Sequence, residues 1–261
     1  MKTGLKILLG IVIFIILAII FVLAYFGYVP GLSSLLGADK PRDLGITYTE
    51  ADHTSARAKS QVVYEELPAN TPVESSIVRS GSRPITASWT SSEMTSLMNN
   101  RPWKYWPIKN VQLKINNDGT AELSGVVVRE KLKSYAVAIG VPKNVADIGI
   151  SLLPSSAVFY VKAKTSLTGN KVSDFDIQSV SLGKMPIPTG ILLSSVKIIN
   201  HTYAETLTGE LSKYSGKRAA IVNFINSRLS QITGFFAKRA YFSDGKLNFD
   251  GTLSEKEATV R

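Results

Sequence analysis

The stretch Ala157–Leu182 reads AVFYVKAKTSL, then TGN at 168–170, then KVSDFDIQSVSL, and it decides the class of fold. Two β-branched and aromatic runs flank a short turn rich in Gly and Asn, the signature of an antiparallel hairpin. Upstream, Val111, Leu113 and Ile115 alternate with polar residues, Asn117-Asp118-Gly119 turns the chain, and Ala121–Val128 follows as a paired strand. Downstream, Phe235–Phe242 and Lys246–Leu253 flank Ser243-Asp244-Gly245 as a third hairpin. Helical patterns separate the hairpins. Thr90-Ser91-Ser92-Glu93 is a capping box opening a helix over Ser91–Asn100, with Met94, Leu97 and Met98 on one side. Arg129–Ile139 reads as a helix. Leu192, Val196, Ile199, Tyr203 and Leu207 form an amphipathic stripe, and Val222, Ile225, Leu229 and Ile232 form another within Ala219–Thr233. The predicted class is α+β: an antiparallel sheet of hairpins packed around long amphipathic helices, preceded by an N-terminal transmembrane helix.

That N-terminal helix is read from Ile7–Tyr28, ILLGIVIFIILAIIFVLAYFGY, 22 residues without a charge. At ~1.5 Å per residue it would extend ~33 Å, enough for a ~30 Å hydrocarbon slab. Tyr25, Phe26 and Tyr28 supply an aromatic belt, and Pro30-Gly31 ends the helix. A cleaved signal peptide would have a shorter apolar region and a small-residue cleavage site. Lys2 and Lys6 precede the span, whereas Asp39, Lys40, Arg42 and Asp43 after it sum to zero, so the expected orientation is N-terminus in the cytoplasm. Residues 1–28 are thus expected to be the cytoplasmic N-terminus and signal-anchor. Residues 29–84, broken by Pro30, Pro41, Pro68, Pro72 and Pro84, are expected as a stalk or linker. A helix near Thr49–Leu67, capped by Thr49, either docks on the domain or rides in a tether. Residues 85–261 are expected as the extracytoplasmic α+β domain, with the polar Ser254–Arg261 fraying at the end.

Five features together resemble a known group: the single span, the Thr90–Glu93 helix start, the Asn117-Asp118-Gly119-Thr120 hairpin, the paired strands 157–182, and Leu182-Gly183-Lys184-Met185-Pro186-Ile187-Pro188 leading into an apolar helix. Over residues 85–253 the chain is similar to the YpmS-like membrane-anchored bacterial proteins. More distantly it resembles tubular lipid-binding (TULIP-like) envelope domains. The resemblance implies a bacterial envelope protein that binds lipid. It brings no catalytic residue, and the stalk is longer than that group would have.

Composition excludes much chemistry. There is no Cys among the 261 residues, and the only histidines are His53 and His201, so thiol, iron–sulfur and His-rich metal sites are ruled out. Ser-x-x-Lys occurs at Ser181/Lys184, Ser194/Lys197 and Ser243/Lys246, but the companion Ser-Asp-Asn of serine acylating enzymes is absent and chance pairs are expected. Asp174 and Asp176 share one strand face rather than facing each other across a cleft, and Asp147, Glu205 and Glu210 are scattered. His201 with Glu205 makes one imidazole and one carboxylate, a poor metal site, and Asn200-His201-Thr202 is a common triplet. Neither enzyme activity nor a cofactor is expected. The formal charge of +10, or +8 once Lys2 and Lys6 are set aside, fits anionic lipid headgroups or wall polymers outside the cytoplasm as well as it fits ordinary solubility. No nucleic-acid-binding motif appears.

Two binding candidates remain. Trp103, Tyr105 and Trp106, with Arg101, Lys104 and Lys109, form the densest cationic–aromatic stretch, suited to lipid headgroups or a protein partner; the alternative is a core-closing loop. Leu192, Val196, Ile199 and Tyr203 would line a groove between helix and sheet that an acyl chain could fill, the alternative being a packed core. The expected function is a membrane-anchored, non-enzymatic extracytoplasmic protein with the bilayer as partner through residues 7–28. It would hold a lipid or other amphiphile, or serve as a structural partner in an envelope complex.

Overall fold

The computed structural model describes residues 2–188 and 217–261, with the side chains of 2–10, 217 and 220 outside the description. Its architecture is α+β, a curled antiparallel sheet with helices packed on it. The first element, α1 (Lys2–Tyr25), leads through the short α2 (Leu32–Leu35) to α3 (Glu50–Ser60). Then come β1 (Val63–Glu66), a 3-10 turn at Val73–Ser75, β2 (Ile77–Ser80), β3 (Arg83–Thr90), α4 (Ser91–Asn99), β4 (Ile108–Ile115) and β5 (Thr120–Val128). Helices α5 (Arg129–Ala138) and α6 (Lys143–Ser151) precede β6 (Ser156–Thr168), β7 (Lys171–Leu182) and the bridge β8 (Met185–Pro186). The chain closes with α7 (Lys217–Ser230), β9 (Phe236–Ser243), β10 (Lys246–Leu253) and β11 (Lys256–Thr259).

The three expected hairpins form as β4–β5, β6–β7 and β9–β10, all antiparallel. Strand β6 is the hinge of the main sheet. It pairs with β7, and it also pairs with β5 along Ser156–Lys164 and with β9 along Ser166–Thr168. Thus β4–β5 and β3–β10–β9 are two leaves joined through one long strand. The core lies where α3 and α4 cover the second leaf: Ala56 of α3, Ile85 and Trp89 of β3, Ala237 and Ala240 of β9, and Phe249 of β10 are buried together, with Met94 and Leu97 of α4 against them.

Helix α4 also closes the sheet. Its outer neighbour β4 would otherwise present unpaired backbone groups, a liability for any edge strand. Ser91, Thr95 and Asn99 stand four residues apart on α4 and meet Ile115, Leu113 and Val111, two apart on β4. Ile115 N–H donates to Ser91 Oγ at 2.9 Å, Leu113 N–H to Thr95 Oγ1 at 2.9 Å, and Val111 N–H to Asn99 Oδ1 at 2.9 Å. Asn99 Nδ2 donates back to the Val111 carbonyl at 2.8 Å. The match is geometric: four helical residues rise ~6 Å and two strand residues ~6.8 Å. Asn110, at φ 51°, forms the bulge that shifts the β4–β5 register between Lys109 and Gln112.

Segment 29–84, expected as a stalk, is laid onto the domain. Both Thr49 and Thr90 make reciprocal capping boxes, with Asp52 and Glu93 respectively. Glu93 is buried, and it ties α3 to α4 by accepting from Ser55 Oγ at 2.6 Å and from Lys59 Nζ. Gln112 Oε1 accepts from Leu44 N–H at 2.7 Å, fixing the extended chain that leads to α3. Strands β1 and β2 flank β11 in a second, three-stranded sheet. The C-terminus, expected to fray, is therefore the middle strand of that sheet. Thr259 and Val260 are fully buried, and Lys104 N–H donates to the Val260 carbonyl at 2.8 Å. Its partners lie far away in sequence, so local polarity at 254–261 misled the sequence reading.

Among the described residues, no helix is long and apolar enough to cross a membrane. Helix α1 ends at Tyr25, short of the expected Tyr28, and the side chains of residues 7–10 of the expected span lie outside the description.

Candidate functional site

The junction between α1 and the domain is the first candidate site. From Ile11 to Leu23 every large apolar side chain of α1 is substantially exposed, on all sides of the helix; Phe14 reaches 72 %. Such a helix has no water-facing side. At its C-terminal end the exposure stops abruptly, and Ala24 is fully buried. Lys184 N–H donates to the Tyr25 carbonyl at 2.9 Å, capping the end of α1 from the β7–β8 turn. Gly183 is required there. Its φ is +58°, and a Cβ would stand 2.3 Å from the Tyr25 carbonyl oxygen and 3.0 Å from the Phe26 carbonyl carbon. Gly183 N–H in turn donates to the Val158 carbonyl of β6 at 2.8 Å. The Tyr28 hydroxyl donates to the Leu152 carbonyl at the end of α6, and a Cβ on Gly27 would touch Ala38 and Pro154 at ordinary contact distance. The Leu182–Pro188 motif therefore serves as the socket for the N-terminal helix.

The aromatic stretch lies at the second sheet. Trp103 is buried, its ring centroid 5.4 Å from that of Tyr135 on α5, and its Nε1 donates to Ser76 Oγ at 3.3 Å. Trp106 packs edge-on to the same Tyr135 at 5.9 Å and donates from Nε1 to the Met98 carbonyl at 2.7 Å. Trp103 is thus enclosed against α5 and Ser76, while the half-buried Trp106 bridges α4 and α5. Tyr105 is half-buried, and Lys104 is exposed beside it, 5.8 Å from the ring centroid. Beneath them Glu257 of β11 is buried between two guanidinium groups. Arg79 Nε lies 2.8 Å from it, and Arg101 Nη2 reaches its two oxygens at 2.6 and 2.7 Å. Burial pushes the Tyr64 and Tyr135 phenols up, partly offset by the nearby Arg101 and Arg79 charges. A carboxylate buried with two arginines has its lone pairs committed, which suits a structural cross-link rather than proton transfer.

The groove candidates Leu192, Val196, Ile199 and Tyr203 lie outside the described residues, as do His201, Glu205 and the Ser194/Lys197 pair. Among the described residues that follow, α7 packs on β7 with Val222 buried against Val172 and Phe175, and Ile177, Ile221 and Ile225 half-buried around them. On the β3–β10–β9 leaf an open groove of about 430 Å³ is lined by polar side chains such as Thr86, Arg239, Asn248 and Asp250 together with Ala87 and Phe249. Asp174 and Asp176 are each taken by a cation, Lys164 at 3.7 Å and Arg218 at 2.9 Å. Ser243 and Lys246 face each other across the β9–β10 turn, and Ser243 Oγ accepts from Asn248 Nδ2 at 3.0 Å. Among the described residues no cluster of three His, Asp or Glu side chains could hold a metal ion.

The junction at Gly183 was visible in sequence only as a rigid Gly-Lys-Met-Pro link. The Glu257–Arg79–Arg101 cluster and the Ser91/Thr95/Asn99 ladder were missed. The ladder's period of four was the available signal, hidden because polar side chains are ordinarily assigned to the solvent side of a helix. No family model, curated protein or solved structure matches the chain. Function is therefore read from the geometry of this chain alone.

Proposed function

We propose that the chain is a single-pass membrane protein, N-terminus in the cytoplasm, whose folded domain stands at the outer surface and works by binding rather than catalysis, as a structural component of an envelope complex. The observation that carries this reading is the junction. A helix exposing apolar side chains all round is joined to the domain by backbone-to-backbone contacts at Gly183 and Lys184 instead of a free tether. A lipid bilayer is the surrounding that satisfies such a helix. A fixed junction gives the domain one height and orientation on the membrane, which an assembly component needs and a diffusing carrier does not. The close packing of Val222 on Val172 and Phe175 and the structural use of both indoles also favour a scaffold.

A second reading, a holder of lipid or another amphiphile, is favoured by the half-buried Ile177, Ile221 and Ile225 along the α7–β7 seam. Native mass spectrometry of the full chain, released from detergent micelles after incubation with a lipid extract, separates the two. The scaffold reading predicts the bare chain mass. A stoichiometric lipid surviving release, one per chain, would overturn it in favour of the amphiphile holder.

A further inference from the structure

Outside α1, the three most exposed large apolar side chains among the described residues are Leu35 at 82 %, Leu152 at 72 % and Ile148 at 67 %; the next, Val63 and Val78, reach 49 %. All three sit on elements that meet the end of α1. Leu35 is on α2, which follows α1 after a turn. Ile148 and Leu152 are one helical turn apart along α6, so they share a side, and the Leu152 carbonyl accepts from the Tyr28 hydroxyl. The opposite side of α6 is accounted for: Ala146 is buried, and Lys143 pairs with Asp147 at 2.5 Å. Large apolar side chains this exposed, gathered around one point, mark a contact surface.

We infer that α2 and α6 form a collar seated in the interfacial layer of the bilayer, with Leu35, Ile148 and Leu152 at the boundary between headgroups and acyl chains. The inference rests on the membrane-anchor reading of α1. The occupant follows from continuity. Tyr28 belongs to the aromatic end of the expected span, and its hydroxyl touches the last turn of α6, so the apolar side of α6 starts at the depth where the span ends. A short helix with one apolar side and a charged pair on another suits the bilayer interface. The collar would give the domain further points of attachment besides α1, fixing its tilt.

The chain has no Cys, so single-cysteine variants can be labelled cleanly. Ile148→Cys, Leu152→Cys and Leu35→Cys are each coupled to an NBD fluorophore in the full chain, in nanodiscs of phosphatidylcholine and phosphatidylglycerol with one chain per disc. Phe14→Cys reports on α1, and Val78→Cys on β2 reports on a comparably apolar site with no link to α1. Expected is quenching of about twofold by lipids carrying a shallow doxyl group at 148, 152 and 35, as interfacial residence requires, and quenching by aqueous iodide at 78. Iodide quenching at 148 and 152 with lipid quenching at 14 would overturn the collar and leave the anchor standing. Shielding of 148 and 152 from both quenchers would also overturn it, pointing to a protein contact. Iodide quenching at 14 would remove the anchor reading itself.

Discussion

Gly183→Ala tests whether α1 and the domain form one unit. The new methyl would stand 2.3 Å from the Tyr25 carbonyl oxygen, where ordinary contact begins at 3.4 Å. The end of α1 must therefore withdraw by about 1 Å, because both clashing groups are backbone and neither can rotate away. Withdrawal breaks the 2.9 Å bond from Lys184 N–H to Tyr25, a loss of about 1 kcal/mol. The left-handed φ of +58° adds roughly 1–2 kcal/mol for a residue with a Cβ. Together the docked state loses about 2–3 kcal/mol, or a shift of roughly 30- to 150-fold in the docking equilibrium. Hydrogen exchange of the full chain in nanodiscs reads this directly. The Lys184 amide should exchange faster by about that factor, while amides of β10, in the other leaf, keep their wild-type rates. Exchange at Lys184 within about threefold of wild type would refute the claim that this junction is a tight socket.

Three further outcomes follow from the packing. Asn99→Leu strips partners from both the N–H and C=O of Val111 and should lower urea stability by about 2–4 kcal/mol, whereas a solvated polar side chain there would cost almost nothing. Trp103→Ala should cost about 3–5 kcal/mol, so loss of a partner in that variant would report misfolding; Lys104→Ala should stay within about 0.5 kcal/mol and is the cleaner probe of an interaction at this surface. Glu93 is raised by burial but held, on balance, below its ordinary 4.5 by hydrogen bonds from Lys59, Ser55 and the Thr90 N–H. A carboxyl depressed in the folded state contributes stability fully above the unfolded value, lost as pH falls through the folded one. Stability should therefore decline on acidification below about pH 4.5, and Glu93→Gln should be less stable at neutral pH with a flatter acid limb; an unchanged limb would remove Glu93 from the account.

Local chemistry made much of this fold legible in the sequence. Asn117-Asp118-Gly119, Thr168-Gly169-Asn170 and Ser243-Asp244-Gly245 turn where Gly and Asx residues permit positive φ, and hairpins follow from them. Thr49 and Thr90 announce helix starts because a capping box is complete within four residues. What stayed hidden depends on partners remote in sequence. Strand β11 is polar by composition, yet Arg79 and Arg101 neutralise Glu257, and β1 pairs with it in parallel from the other end of the chain. Helix α6 carries β-branched residues and Gly149 between Pro142 and Pro154, a pattern that reads as loop; the helix packs on α5, and its Ala146 is buried. For the candidate sites, the aromatic stretch stands out in the sequence, but the contacts of Trp103 and Trp106 with Tyr135 and of Trp106 with the Met98 carbonyl depend on the fold and are encoded by no local pattern. The socket at Gly183 depends on a backbone approach that no side-chain pattern encodes.

The most direct test of the account is the topology of single-cysteine variants in intact cells. Thr3 lies in the first turn of α1, ahead of the apolar run, and Lys238 lies on β9 of the folded domain, so Thr3→Cys and Lys238→Cys report on the two ends of the chain separately, with no other thiol present. A membrane-impermeant maleimide should label position 238 in intact cells and position 3 only after permeabilisation, with both variants remaining in the membrane pellet at alkaline pH. Labelling of position 3 with protection of 238, or release of the chain by alkali, would contradict the account.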